Sequence, residues 1–455
     1  MRQLNRRGGA LGWLLLTLTV VAGFGWYYGM GPGGAGPGER DRRDPARGNK
    51  VEMKDVEIEA FDERFHRTTL LKGDTATTYK DSSELVLEPA TGTLFREPGK
   101  DVFVKARQAH KFTGRQGERF EFTGSVEVTS EKRQLVSEKL LYSPASRLLE
   151  SGAPVRIHTT GSILLADRLK SQTDLRTGVL EGSVKIRTFG EGGRSFENPV
   201  KIDGNRSDFD LTRGLFNMAG MAWAQKEDSK VEADKIAFNR RRKMLTADGH
   251  SVLTRPDLVL SAGHLEYWVD REAGIATNGP KAVQNTPGTT NETESRTQLT
   301  AAELEGDFKK GVLEGRGAVR LQRYVKFEGD WEPDYAIDAH HVTHLYKDRR
   351  ALFKGNVKIE AEKVGAVGDR AVFYQQRGKL YIVGRAEAWD YDELHTKKNH
   401  ISGEKIVHDL KTGKSQVIGR VKSGFSEEPG GRGQQPHRQP RPGRSEIIFQ
   451  EGGGQ

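Results

Sequence analysis

Apolar and polar residues alternate along most of this chain, and the alternation recurs in a set phrase. In "FEFTGSVEV", residues 120–128, Phe120, Phe122, Gly124, Val126 and Val128 fall on one side of an extended strand, and Glu121, Thr123, Ser125 and Glu127 on the other. The phrase returns as "VLEGSVKI" at 179, with Leu180, Gly182, Val184 and Ile186 inward. It returns again as "VLEGRGAVRL" at 312, with Leu313, Gly315, Gly317, Val319 and Leu321 inward, and as "LFKGNVKI" at 352, with Phe353, Gly355, Val357 and Ile359 inward. Ile382 takes the same place in "LYIVGRAEAW". An apolar period of two would smear around a helix, so these segments read as strands with one apolar face.

A glycine marks each phrase: Gly124, Gly152, Gly182, Gly220, Gly249, Gly279, Gly315, Gly355, Gly384 and Gly419. Ahead of many of them comes a small residue followed by an acid, as in Ser137-Glu138, Ala166-Asp167, Ala233-Asp234, Gly368-Asp369 and Gly403-Glu404. Turn-rich pieces such as "SPASR" (143–147), "NRRRK" (239–243), "QQRGK" (375–379) and "LKTGK" (410–414) separate the two. Each unit is thus a strand, a turn and a strand, and stacked units of this length form a solenoid-like array that buries each face against its neighbours. The glycines either spare room on the inner face or permit a bend where the sheet turns over. The two ends of such an array expose strand edges able to accept a further strand.

Outside the repeats, "LGWLLLTLTVVAGFGWYYGM" (11–30) carries no charge and is long enough to cross a bilayer core of ~30 Å. Aromatic residues sit near both ends, and Arg2, Arg6 and Arg7 abut it, which favours the N-terminus inside and the body exported. A cleaved signal peptide is the competing reading, although the run is long for one and no clear cleavage site follows. The chain then divides into a stub (1–10), the anchor (11–30), a Gly- and Pro-rich tether (31–50), the repeats, and a disordered tail (426–455).

Charge and composition narrow the function. Of the net +9, residues 1–50 carry +5 (eight Lys or Arg against Glu39, Asp41 and Asp44), which leaves +4 for the body. A nucleic-acid binder concentrates basic charge on its folded body, so nucleic acid is not an expected partner. With no cysteine in 455 residues, neither disulfides nor thiolate chemistry are available. "HHVTH" (340–344) offers His340 and His344 on one strand face as metal ligands, but no third ligand accompanies them, and a polar strand face is the expectation. "DERFH" (62–66) reads as solvated charge in a turn, and "NET" (291–293) as a glycosylation sequon relevant only in a host with that machinery. "DLKTGKS" (409–415) ends like a phosphate loop, yet His408 stands where the first glycine belongs, and the segment reads as a hairpin. No nucleophile, base and orienting group fall at catalytic spacing, so no enzyme, cofactor or metal is expected.

The segment "VEMKDVEIEAFDERFHRTTLLKGDTATTYKDSSELVLEPATGTLF" (51–95), with "LLADRLKSQTDLRTGVLEGSVKI" (164–186), resembles the LptC family, the membrane-anchored periplasmic component of lipopolysaccharide export. "VGDRAVFYQQRGKLYIVGRAEAW" with "ISGEKIVHDLKTGKSQVIGRVKSGF" (367–425) is similar to the OstA-like family that includes LptA. The resemblance divides the body into an LptC-like domain (51–195), OstA-like repeats (196–330) and an LptA-like domain (331–425), longer than a usual LptC. It implies an all-β fold, an elongated, open β-jelly roll of folded-over antiparallel sheets behind one transmembrane helix. It also implies lipopolysaccharide as cargo, an inner-membrane ABC transporter as its source of energy, and other OstA-like proteins as edge-strand partners. The inward apolar residues named above would then line a trough for acyl chains. The alternative is an anchored scaffold of β-repeats with a closed core and no lipid cargo.

Overall fold

The computed structural model describes residues 50–61, 66–79, 84–95, 101–114, 117–189, 198–288, 293–362, 364–391, 397–410, 414–420 and 422–424. The anchor, most of the tether and the tail lie outside these residues. The chain divides into two units, one of Met1–Glu52 and Thr77–Ser82, the other of Met53–Ala76 and Ser83–Gln455. The first unit contributes, among the described residues, the start of strand Lys50–Phe61 and the end of strand Arg67–Tyr79. Everything below concerns the second.

Among the described residues the second unit is all-β apart from one 3-10 turn, Gln375–Arg377, and its strands pair antiparallel with near neighbours along the chain. Two kinds of strand alternate, and the sequence dictates the difference. In Gly117–Ser130 inward residues follow a period of two until Phe122, then three residues face out (Thr123, Gly124, Ser125) before Val126 resumes the inner face. Its partner Arg133–Ser143 turns the same corner with only two, Glu138 and Lys139, between the buried Ser137 and Leu140. The register therefore shifts between Thr123 and Val126, one residue more on the glycine strand than on its partner, which is a β-bulge.

The same grammar recurs along the unit. Three outward residues with glycine at the centre appear at Glu181-Gly182-Ser183, Ala219-Gly220-Met221, Asp248-Gly249-His250, Arg316-Gly317-Ala318, Lys354-Gly355-Asn356 and Val383-Gly384-Arg385. Two outward residues appear at Asn205-Arg206, Asp234-Lys235, His340-His341 and Asp369-Arg370. Each bulge bends its strand, so the sheet folds over along a line of corners. The glycines accordingly mark the bend, and Gly124, Gly182, Gly317 and Gly355, expected on the inner face, do not belong to it. One marker is corrected: Gly315 points inward, with Val342 pressed against it, while the corner glycine is Gly317 with φ of +70°. The insertion in "VLEGRGAVRL" moved the corner along.

The corners divide the sheet into two layers. Layer A contains the halves that run from Phe120–Thr123 with Lys139–Tyr142, through Leu180 with Ser207, to Lys405–Asp409 with Lys414–Ile418. Layer B runs from Val126–Ser130 with Arg133–Ser137, through Val184–Thr188 with Val200–Gly204, to His400–Ser402 with Lys422–Gly424. Both layers bury the same strand face, and they meet: the ring of Tyr335 in layer B stands edge-on to Phe373 in layer A, centroids 5.0 Å apart. Buried apolar residues from Ile58 to Val417 form one cluster between them. The pairing does not pause near residue 330, because Val312–Phe327 and Asp330–Leu345 are the two arms of one hairpin.

Candidate functional site

The residues that the alternation marks as inward meet in this single interior. Layer A contributes Phe120, Phe122, Leu180, Leu313, Phe353 and Ile382, and layer B contributes Val126, Val128, Val184, Ile186, Val319, Leu321, Val357 and Ile359. All fourteen are at most 2% exposed. Strand period two sets their direction, and the corners keep the inner face inner while the chain turns. Burying such side chains stabilises the fold by roughly 1.5–3 kcal/mol each, an upper-range figure that presumes full exposure when unfolded.

The site's opening lies opposite the corners, where the hairpin turns of layer A face those of layer B. The two lips differ chemically. Many of the buried residues beside the turns of layer A are aromatic: Tyr142, Phe209, Phe216, Phe238, Tyr267, Phe308 and Tyr346, none above 4% exposed. Beside the turns of layer B many carry hydroxyls: Ser130, Ser162, Thr188, Ser229, Thr286 and Ser295, none above 9% exposed. Polar ties cross between the lips. Arg176 Nη2 donates to Glu131 Oε1 at 2.7 Å, Arg133 Nη1 to the Asp174 carbonyl at 3.3 Å, and Arg255 Nη2 to Glu272 Oε2 at 2.9 Å. Further along, Gln284 Nε2 donates to the Tyr346 carbonyl at 3.2 Å, and Gln375 Nε2 to Thr297 Oγ1 at 3.3 Å. The bond from Arg176 holds the Glu131 carboxyl below the usual glutamate range. Burial raises the Tyr346 and Tyr335 hydroxyls well above the ordinary tyrosine range, so both stay neutral. The two layers thus enclose an apolar interior behind a polar seam, and the seam is shut as it stands.

The remaining candidates separate. His340 and His344 do not share a face: His340 is exposed at the corner, whereas His344 is 3% exposed inside the core. The corner between Asp338 and His341 offsets the alternation by one residue, which overturns both the shared face and the polar one. Burial pushes the His344 imidazole down to about 4. Among the described residues no three potential ligands cluster around a metal position. The strands flanking "LKTG" pair antiparallel from Asp409 and Lys414, as a hairpin requires, and His408 Nδ1 lies 2.9 Å from Ser415 Oγ inside the core. In "DERFH" residues 62–65, and in "NET" residues 291–292, lie outside the described residues. Sequence reading missed the seam altogether, since its tied residues lie 17 to 78 positions apart and no local period links them.

Comparison with known proteins places part of this architecture. Residues 17–188 match the family model described as lipopolysaccharide-assembly, LptC-related. The chain's N-terminal portion is thus similar to that family. No curated protein sequence matches the chain. Among solved structures, LptH, the LptA homologous periplasmic component of the conserved lipopolysaccharide transport device from Pseudomonas aeruginosa, is 12% identical with a TM-score of 0.14. The match covers 44% of this chain and 95% of that one. The LptC-related span closes on strand Thr177–Thr188, whose two halves pair directly with Val200–Asp210 beyond it. Sheet, corners and interior therefore pass without interruption from the LptC-related span into the repeats that follow. The candidate anchor overlaps the start of that span; among the described residues no helix is long and apolar enough to cross a membrane.

Proposed function

We propose that this chain is a membrane-anchored periplasmic component of lipopolysaccharide transport, in which acyl chains travel between the two layers while the head group stays at the seam. Residues 11–30 hold it in the inner membrane, an ABC transporter supplies cargo and energy, and free strand edges join it to other OstA-like proteins. The observation that carries this reading is the single apolar cluster that continues from the LptC-related span to Val417. Each methylene hidden from water is worth ~0.8 kcal/mol, so a ten-methylene chain gains on the order of 8 kcal/mol from such an interior. Since the inner residues are at most 2% exposed, cargo must part the layers at the seam, whose ties are a few exchangeable polar contacts rather than sheet hydrogen bonds.

That same closure favours a second reading, an anchored scaffold with a dry core. In-cell photocrosslinking decides between them, with a photoreactive residue at Phe122, Val184 or Phe353 and at the outward, exposed Lys185 as control. Lipopolysaccharide adducts at the inward three alone, lost on depletion of ATP, support transport. A folded, exported protein with no inward adduct supports the scaffold.

A further inference from the structure

Of the clefts along the seam, one has the wrong charge for a simple tie. It has a volume of about 380 Å³ and lies where the turn after Ser130 and the turn before Ser162 on layer B face the Arg240 turn on layer A. Phe216, an inner-face residue 1% exposed, is part of its lining, so the cleft borders the apolar interior. Lys132, Arg133 and Arg240 line it with Glu131 as the sole acid, and the hydroxyls of Thr159 and Ser162 complete the rim. A neighbouring seam cleft of about 280 Å³ is the reverse, with Lys226 and Arg255 against Glu227, Asp228, Asp270 and Glu272.

Arg240 is the informative residue. Its guanidinium reaches from layer A to layer B, with Nη1 lying in the space that a side chain at Gly161 would fill. Among the described residues it meets no carboxylate, whereas Arg133 and Arg176 share Glu131. An arginine laid across the mouth of an apolar interior without an acid partner is placed to bind an anion presented there, and its fork matches phosphate geometry.

We propose that this cleft is the phosphate subsite for an acylated sugar phosphate, holding the charged head at the seam while the acyl chains pass over Phe216 into the interior. The inference rests on the transport reading and adds to it the part of the ligand recognised and the place. One lip comes from the LptC-related span and the other from the repeats beyond it, so the subsite exists only where the two are joined.

The test is equilibrium binding of the full chain in detergent to three probes: lipid A, lipid A stripped of its phosphates, and inorganic phosphate. The unmodified chain is expected to prefer phosphorylated lipid A. Lys132→Gln and Arg240→Gln, each confirmed folded by thermal unfolding, are expected to weaken that binding about tenfold without changing affinity for the stripped lipid, since a charge-assisted hydrogen bond is at stake. Lys185→Gln, outward on layer B, should leave both unchanged. Equal affinity for the two lipids, or undiminished binding by both folded variants, overturns the subsite and leaves the transport reading standing. Inorganic phosphate binding as tightly as the lipid assigns the cleft to a free anion and overturns it too. Failure of either lipid to bind the unmodified chain overturns the transport reading, and the subsite with it.

Discussion

Asp167 Oδ2 accepts a hydrogen bond from the backbone N–H of Ser183 at 2.8 Å. The two residues belong to the two recurring sequence pieces, the small residue with an acid and the marker glycine with its follower, and the structure lays one over the other at the corner. The arrangement repeats sixteen residues apart. Asp234 Oδ2 lies 3.0 Å from His250 Nδ1, and Arg385 Nε donates to Asp369 Oδ1 at 3.0 Å. The acid of one strand thus holds the bend of the next.

The corner leaves no room for a side chain on its glycine. A Cβ at Gly182 would lie 2.3 Å from Asp167 Oδ2, on a backbone with φ of +93° that L-residues rarely adopt. Gly182→Ala is therefore expected to destabilise the protein by roughly 1–3 kcal/mol, and Asp167→Ala by about 1 kcal/mol through loss of one hydrogen bond. Urea unfolding of both variants measures this. An unchanged midpoint for Gly182→Ala would show that the corner tolerates a side chain after all.

Corner length, three residues or two, sets which side chains face in. Deleting Ala318 shortens Arg316-Gly317-Ala318 to two, so the chain must either lose the bulge or turn Val319 and Leu321 out of the core, where each is 1% exposed. Collapsed near-ultraviolet dichroism and rapid amide exchange across 312–345 are the expected result. A Met221→Ser change, at a corner position 83% exposed, should leave both signals as they were.

How far the sequence could be read follows from these corners. Alternation identifies the strands, and the fourteen inward residues, because period two is local and needs no knowledge of partners. The corner itself is written as glycine, yet its exact position is not: Gly315 and Gly317 both satisfy the pattern, and only pairing with Asp330–Leu345 selects the second. The two-residue corners carry no glycine signature at all in "HHVTH", which is why an uninterrupted alternation places His344 with His340. The seam is still less legible, because Glu131 and Arg176 meet only after the sheet has folded over, and nothing in either turn names the other.

His344 gives the fold a specific acid sensitivity. Its imidazole is buried, its Nδ1 has no hydrogen-bond partner, and its pKa is pushed down to about 4 by burial. The unfolded chain protonates this histidine near the ordinary value of about 6.5, while the folded chain resists until about 4. The stability contributed by keeping it neutral is thus complete above that ordinary value and is lost as pH falls toward the folded one. The loss amounts to about 2 kcal/mol at pH 5. His344→Phe should flatten this part of the curve, read as the difference in unfolding free energy between pH 7.5 and pH 5. Parallel curves for the two proteins would mean that the imidazole is hydrated.

The tie between Arg176 and Glu131 makes a separate, local prediction. Its carboxylate is held ionised by the hydrogen bond from Arg176, so its contribution is present above the ordinary glutamate range and disappears as pH falls through the depressed folded value. Both side chains remain partly exposed, at 28% for Arg176 and 41% for Glu131, so salt should weaken the pair and its share of global stability is small. The effect belongs at the seam. Glu131→Gln is expected to speed amide exchange in the turns at 131–133 and 173–176 severalfold, with the corner amide of Ser183 unchanged and the unfolding midpoint close to that of the unmodified protein. Raising salt should speed the same amides in the unmodified protein and much less in the variant, because the charge it screens has already gone. If exchange at these turns instead follows global unfolding, the two lips open only when the whole sheet does, and a seam that parts for cargo is not available to this fold.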